Sequence, residues 1–360
     1  RCMESGAAGV AVISSITRSD FPADSAAALA ATCGVGPREL AVSWRDEFGL
    51  IRRIFDRCAG VLQTDSWVEV AAGDDAALFK GLFRPVFTTD TQRDGIHFRT
   101  RWQSMAEIGK KAVEITFSDL AAAYAKPAGL FVNLALPPAL AEKDVIDFYD
   151  GVKQALISHG AALGGGNVSA GRTLAIDLFA AGEGGPVFPR RDAARAGDGV
   201  YVTGLLGLAR AGLHCLIKGD NAFASLVAKF KSPRARFDAA DILAGQGVVC
   251  VTDISDGLAG DAAHIAEASG VTIEFLPDLF QISPALDAFC RSYEQEPVHE
   301  ILAGGEDYEL LFTCPQDRFA AICRHLPDAH CVGRCVADAG RALANLPDGV
   351  GSYRHGEGRH

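Results

Sequence analysis

The sequence predicts an α+β protein of two domains, and three observations carry that expectation. The chain has 360 residues, more than one hydrophobic core usually organises, since single cores stop growing at about 250 to 300 residues. Strand-like apolar runs and helix-like periodic runs are mixed without the strict βαβ alternation of a doubly wound sheet. A Gly- and Pro-containing stretch at 182–198 breaks the rhythm near the middle and marks the boundary between the halves.

Residues 1–43 are rich in Ala, Gly and Ser and weakly patterned, apart from an Ala-rich run at 26–31 that suits one short helix. They read as an N-terminal extension outside the core. A helix is expected from Trp44 through Phe48, Leu50, Ile51, Ile54 and Phe55, because these apolar residues recur at the spacing of one helical face. Apolar runs read as strands at 68–71, 86–89, 130–136 and 174–180, with helices at 105–125 and 142–159. Together these form an N-terminal domain of 44–185. The C-terminal domain, 190–355, opens with a strand at 200–203 and helices at 205–217, 222–230 and 235–243. A strand at 248–251, a helix at 258–268, strands at 271–275 and 308–313, a helix at 316–325 and a strand at 331–336 complete it.

Composition excludes several classes of function. Lys and Arg total 34 against 45 Asp and Glu, a net charge of -11, and no basic run is interleaved with aromatics. Nucleic acid, which rewards phosphate-neutralising basic patches, is therefore not an expected partner. No apolar run approaches the ~18 residues that span a bilayer. The first residues, Arg1-Cys2-Met3-Glu4-Ser5, lack a basic segment followed by an apolar one. A cytoplasmic protein with no membrane partner is expected. Ten cysteines are irregularly spaced, and the group Cys314, Cys323, Cys331 and Cys335 has no paired CxxC, so these read as reduced thiols packed like small hydrophobes. The histidines form no HxxxH or HExxH pair, which removes support for a zinc hydrolase.

Five acidic motifs stand out, each at a turn beside an apolar run: Gly73-Asp74-Asp75, Thr88-Thr89-Asp90, Ser118-Asp119, Asp253-Ile254-Ser255-Asp256-Gly257 and Gly304-Gly305-Glu306-Asp307-Tyr308. Hard cations demand such carboxylates, because Mg²⁺ takes oxygen ligands and is usually held by a few carboxylates plus substrate phosphates. Asp74 and Asp90 close strand-like runs, from which side chains project into crevices. Ser118-Asp119 interrupts an apolar helix, where an unpaired carboxylate is costly and a cation would offset the cost. Ser255 or Asp256 is expected to cap the helix that follows. Gly164-Gly165-Gly166-Asn167 suits a tight turn or a phosphate cradle. No GxxxxGKS/T loop, kinase HRD or DFG set, or GxSxG elbow is present. The residues alone point to metal-assisted phosphoryl transfer without a P-loop.

The motifs resemble those of the thiamine-monophosphate kinase family, in the superfamily of aminoimidazole ribonucleotide synthetase and selenophosphate synthetase. The likeness runs from Asp46-Glu47-Phe48 to Tyr353. It is most specific at Thr89-Asp90-Thr91 with Asp94-Gly95-Ile96-His97-Phe98, at Ser118 to Ala122, at Asp253 to Leu258 and at Gly304 to Thr313. The resemblance implies a PurM-like fold with an N-terminal α/β dimerisation domain and a C-terminal α+β domain. It implies ATP-dependent phosphorylation of thiamine monophosphate with Mg²⁺, in a homodimer. By motif, Asp74, Thr88, Thr89, Asp90, Asp119, Asn167, Asp253 and Asp256 would bind Mg²⁺. Tyr149, Gly166, Asn167, Arg191 and Ser255 would contact ATP, and His97, Glu306 and Tyr353 the acceptor. Asp90, Asp119 and Arg191 would carry the catalysis.

The chain departs from the family pattern in four places. Asn167, Val168 and Ser169 stand where an Asp and two hydroxyl residues are usual, Thr116 replaces an Asn, Ala123-Tyr124 replaces Met-Gly, and Leu208 replaces an acid. These mark a divergent member. Two alternative readings stay open at this point: a related ATP-dependent enzyme acting on another small metabolite, and a non-catalytic nucleotide-binding paralogue.

Overall fold

The computed structural model describes residues 47–62, 67–72 and 76–347; the extension expected at 1–43 lies outside them. Among the described residues the chain builds a four-stranded and a six-stranded sheet, each with its own apolar core, and a small two-stranded sheet.

The first half runs α1 (Glu47–Leu62), β1 (Val68–Val70), β2 (Leu78–Phe79), β3 (Pro85–Arg93), α2 (Met105–Ala122), β4 (Ala125–Leu136), α3 (Glu142–His159), β5 (Ala162–Ala170) and β6 (Ala175–Gly184). Strands β3, β6, β4 and β5 lie in that order, antiparallel except for the β4–β5 pair, whose parallel run requires the crossover helix α3. Alternation along β4 turns Leu130, Val132, Leu134 and Leu136 inward, where with Ile176 and Leu178 they meet Phe117 and Leu120 of α2 and Phe148 of α3. The opposite face carries a row of aromatic rings. Phe87 stacks on Phe179 at 5.4 Å, and Phe179 meets the edge of Phe131 at 5.8 Å.

Helix α2 begins with a capping box, in which the Glu107 amide donates to Ser104 Oγ (3.2 Å) and the Ser104 amide to Glu107 Oε2 (2.7 Å). It stops at Ala122, short of the expected 125, because Tyr124 takes a left-handed conformation with φ 55° that reverses the chain into β4. Helices α2 and α3 touch backbone to backbone. A Cβ at Gly151 would stand 1.9 Å from the Ala106 carbonyl oxygen, and one at Gly109 2.0 Å from that of Phe148.

The triple glycine is not a turn. It lies within β5, where a Cβ at Gly164 would meet the Phe131 ring at 2.8 Å and one at Gly166 the Val132 carbonyl at 2.0 Å. Glycine is required there by close approach of a ring and a neighbouring strand.

After a 3-10 turn at Arg191–Ala193, the second half runs β7 (Gly199–Val202), α4 (Leu208–Lys218), α5 (Ala224–Lys231), α6 (Phe237–Gly245), β8 (Cys250–Asp253), α7 (Leu258–Ser269), β9 (Val271–Phe275), α8 (Pro284–Tyr293), α9 (Pro297–Ala303), β10 (Leu310–Cys314), α10 (Gln316–Ile322), β11 (His330–Ala337) and β12 (Leu343–Ala344). The six strands lie in the order β12-β9-β11-β7-β10-β8, antiparallel except β12 on β9. Helices α8 and α9 were not expected from periodicity. Their starts are nonetheless written in the sequence, since Ser283 accepts from the Leu286 amide at 3.0 Å and a proline opens each helix. Ala121 and Tyr124 pack with Tyr201, Leu310 and Phe312, so the end of α2 joins the two halves. The described cysteines are free thiols, and burial pushes Cys314 and Cys335 up to about 12.

The glycine contact between α2 and α3 leaves no room for a methyl group. Gly151→Ala is expected to lower unfolding stability by about 1–3 kcal/mol, the range for overpacking a close contact, in urea denaturation; an unchanged midpoint would show that the helices can separate freely.

Candidate active site

Strand β3, helix α2 and strand β8 bring three carboxylates together. Along β3, Phe87, Thr89 and Thr91 turn to the aromatic face, while Thr88, Asp90 and Gln92 turn toward α2. Thr88 Oγ1 donates to Asp119 Oδ2 at 2.5 Å. Asp90 accepts from the Thr91 amide at 2.7 Å and from Gln92 Nε2 at 3.2 Å. One residue before Asp119, Ser118 Oγ reaches into the second half and donates to Asp253 Oδ2 at 2.8 Å. Asp253 ends β8 and is 5% exposed.

The three acids are graded from exposed Asp119 through half-buried Asp90 to buried Asp253. All are held above the ordinary carboxylate range. Withdrawal from water is the main cause at each, even at Asp119, which keeps part of its surface open to solvent while protein atoms crowd its carboxyl; Glu306 adds to it at Asp90, Asp90 at Asp119, and Asp119 at Asp253. The cation opposing this at Asp119 and Asp253 is Arg191, whose Nε donates to Thr252 Oγ1 at 3.3 Å.

The loop 254–257 is held from two sides. The Ile254 amide donates to the Glu309 carbonyl (2.8 Å), and the amides of Glu306 and Tyr308 donate back to Ser255 (2.8 Å) and Ile254 (2.9 Å). The residue capping α7 is Gly257, at φ 105°, rather than Ser255 or Asp256. Asp261, inside α7, takes the capping load by accepting from the amides of Ser255 (3.1 Å) and Asp256 (3.2 Å). The side chains of Ser255 and Asp256 are thereby released from that task. Burial pushes the Asp261 carboxyl up to about 8, with Asp253 adding to it. Sequence reasoning missed Asp261; its signal was an acid in the first turn of an otherwise Ala-rich helix.

The adjacent acids of Gly304-Gly305-Glu306-Asp307-Tyr308 part company. Asp307 turns to α4 and accepts from the amides of Gly207 (2.6 Å) and Ala209 (3.0 Å), capping that helix. Withdrawal from water pushes it up to about 7. Glu306, left-handed at φ 65°, turns to the carboxylate site and pairs with Lys111 of α2 at 2.7 Å. Lys111 was also missed, because a second lysine in a helix reads as a solvated face.

His97 lies on the loop after β3 and accepts at Nδ1 from the Arg93 amide (3.1 Å). With Thr89, Asp90, Thr91, Arg93 and Ile96 it lines a cavity of about 440 Å³. Tyr149, Gly166 and Asn167 do not join this group within one chain. Tyr149 is 4% exposed in the first core, against Phe148, and burial raises its hydroxyl far above the ordinary range. Gly166 and Asn167 lie on β5, the edge of the sheet opposite β3, three strand spacings or about 14 Å away. Asp74 and Tyr353 lie outside the described residues. Among the described residues no three His, Cys, Asp or Glu side chains close into a finished metal cage. Converging carboxylates with raised proton affinity are instead a partial oxygen set, of the kind that phosphate oxygens complete around Mg²⁺.

Residues 73–183 match the family described as AIR synthase related protein, N-terminal domain, and residues 195–344 its C-terminal domain. The thiamine-monophosphate kinase of Aquifex aeolicus is 36% identical over 252 residues, covering 69% of this chain and 81% of the relative. That of Bacillus subtilis is 31% identical over 289 residues, covering 77% and 86%. Among solved structures, AaThiL complexed with AMPPCP and TMP superposes with TM-score 0.68 at 34% identity, over 82% of this chain and 92% of that one. The thiamine-monophosphate kinase of Stenotrophomonas maltophilia superposes with TM-score 0.72 at 31% identity, over 83% and 96%. The hydrogenase maturation protein HypE, at 18% identity and TM-score 0.67 over 83% and 90%, shares the fold.

Raised carboxyls bind protons more tightly folded than unfolded, so their contribution is full below about pH 4 and is lost as pH rises through the folded values. In chelator, stability should fall from about pH 5 to about pH 8, the upper end set by Asp261. Asp261→Asn, which keeps an oxygen for the two amides, should flatten the slope in urea titrations; an equal slope in this variant would remove Asp261 from the account.

Proposed function

The chain belongs to the AIR synthase related family and, within it, to the thiamine-monophosphate kinases; from that membership we propose that it transfers the terminal phosphoryl group of ATP to thiamine monophosphate, giving thiamine diphosphate and ADP. The observation that carries the reading is the convergence of Asp90, Asp119 and Asp253 from β3, α2 and β8, with Arg191 as counter-charge to Asp119 and Asp253.

In this reaction an oxygen of the acceptor's phosphate bonds to the terminal phosphorus of ATP as the bond to the bridging oxygen of ADP breaks. The acceptor oxygen is already ionised at neutral pH, so no side chain has to remove a proton. What the protein must do is hold two anions in line against their repulsion. Bound Mg²⁺ would supply charge neutralisation at the phosphates. Asp90, Asp119 and Asp253 would hold it, with Thr88, Asp256 and Asp74 as further oxygen donors, while Thr89, turned to the other face of β3, stands apart from them. Arg191, exposed beside Asp119 and Asp253, meets charge on the transferred group. Ser255, freed from capping, faces the nucleotide. Glu306 and His97 border the acceptor, and Tyr353 is proposed to cover it.

We further propose a homodimer. The rings of Phe87 and Phe179 are 58% and 42% exposed, and with Phe131 they make an apolar face of a kind that partners cover. Tyr149, Gly166 and Asn167 stand apart from Asp90 within one chain. A second copy whose β5 edge met β3 would cover the rings and bring the partner's Asn167 toward the nucleotide. An amide oxygen there supplies a ligand without the charge of a carboxylate. ATP chemistry and free thiols fit the cytoplasm, and among the described residues no helix is long and apolar enough to cross a membrane.

The test is formation of thiamine diphosphate from ATP and thiamine monophosphate with Mg²⁺. Asp90→Ala is expected to lower kcat by about 10³, as for loss of a principal charge-stabilising group. Protein that binds ATP with Mg²⁺ but makes no thiamine diphosphate would overturn the acceptor. Because the proton affinity of these acids is raised, protons compete with the cation, and Mg²⁺ should raise the Tm more at about pH 8 than at about pH 6; the reverse order would argue against carboxylate ligation.

A further inference from the structure

Lys110 and Lys111 are neighbours in sequence and opposite in environment. Lys110 is exposed, whereas Lys111 is 3% exposed. Residues 111, 114 and 118 fall on one stripe of α2, and each makes a polar contact with the second half of the chain. Lys111 Nζ meets Glu306 Oε2 (2.7 Å), Glu114 accepts from the Ala235 amide (2.9 Å), and Ser118 donates to Asp253 (2.8 Å).

A buried ammonium is costly unless its partners are close and well placed. Lys111 has two. Its Nζ lies 3.8 Å from the centre of the Phe230 ring and 2.7 Å from one oxygen of Glu306. Among the described residues the other oxygen, Glu306 Oε1, accepts no hydrogen bond. The backbone around it is fixed, since Glu306 is left-handed at φ 65° and its amide is spent on the Ser255 carbonyl. Glu306 also faces Asp90, a like charge that would drive an untethered carboxylate away. Lys111 therefore does more than neutralise a charge: it decides which way Glu306 points.

We propose that Lys111 is a positioning residue for the acceptor: from the first half of the chain it holds Oε2 of Glu306, so that Oε1 is presented as a fixed hydrogen-bond acceptor to the amino group of the substrate's aminopyrimidine. The inference rests on the reading above, that the acceptor is thiamine monophosphate and that Glu306 borders it. A neutral Lys–Glu pair recognises that group by direction more than by net charge, which suits a site already crowded with carboxylates.

Steady-state kinetics of the full chain test this. Lys111→Met should raise KM for thiamine monophosphate about tenfold while kcat stays within about threefold and KM for ATP is unchanged, and Lys111→Arg should return most of the loss. A parallel rise in both KM values, or a fall in kcat alone, would overturn the role. Should Lys111→Met fail to fold, the double variant Lys111→Met with Glu306→Gln leaves no unpaired buried charge. It should then match Glu306→Gln alone in acceptor KM, and a further additive rise would overturn the coupling. A wild-type protein inactive on thiamine monophosphate sinks the acceptor assignment and this inference with it; an active one with an unselective Lys111→Met sinks only the inference.

Discussion

The electrostatic constraint at the centre of this molecule is an excess of carboxylate where two halves of the chain meet. Asp90, Asp119 and Asp253 each lose hydration and each raises the proton affinity of a neighbour, with Arg191 opposing the shift at Asp119 and Asp253. Such a group is unfavourable in the absence of a cation or of protons. The surrounding architecture supplies rigidity at the same place. Hydrogen bonds from Thr88, Gln92 and Ser118 fix the orientation of the acids, and Asp261 holds the loop that bears Ser255 and Asp256. Binding energy from the nucleotide thus meets a site that is already ordered.

Helix α2 mediates between the halves. Its apolar side belongs to the first core through Phe117 and Leu120, while Lys111, Glu114 and Ser118 reach the second half. Because Ser118 and Asp119 are consecutive, one turn of helix serves both a contact between halves and a carboxylate of the site. The relative placement of the halves and the geometry of the acids are therefore one property rather than two.

Much of this was legible in the sequence, and the exceptions have physical causes. The inward runs of β4 and β6 and the apolar faces of α1 to α3 follow their periodicities, because one side of each packs on a core. The acidic motifs singled out the carboxylates that the fold brings together from β3, α2 and β8, because a carboxylate at a strand end or in an apolar helix has few structural uses. Gly164 to Gly166 read as a turn, since glycine signals both a turn and close approach of a neighbour, and a single sequence does not contain the neighbour. Helices α8 and α9 are too short for periodicity to stand out, and only their caps announce them. Lys111 and the division of labour between Glu306 and Asp307 depend on partners 98 to 195 residues away, a distance at which local pattern carries no information, whereas Asp261 serves amides only 5 and 6 residues away and had a local signal.

The contact of Gly109 and Gly151 with opposing carbonyl groups has a bearing on how the protein can change. Side chains can be exchanged and repacked, but backbone atoms in contact have nothing to exchange. The separation of α2 from α3 is consequently insulated from drift in the core, and mutations that alter Leu, Val or Phe elsewhere in that half leave the position of Asp119 largely as it was. A chain can diverge widely in sequence, as this one has from its relatives, while the geometry of its converging acids stays within narrow bounds.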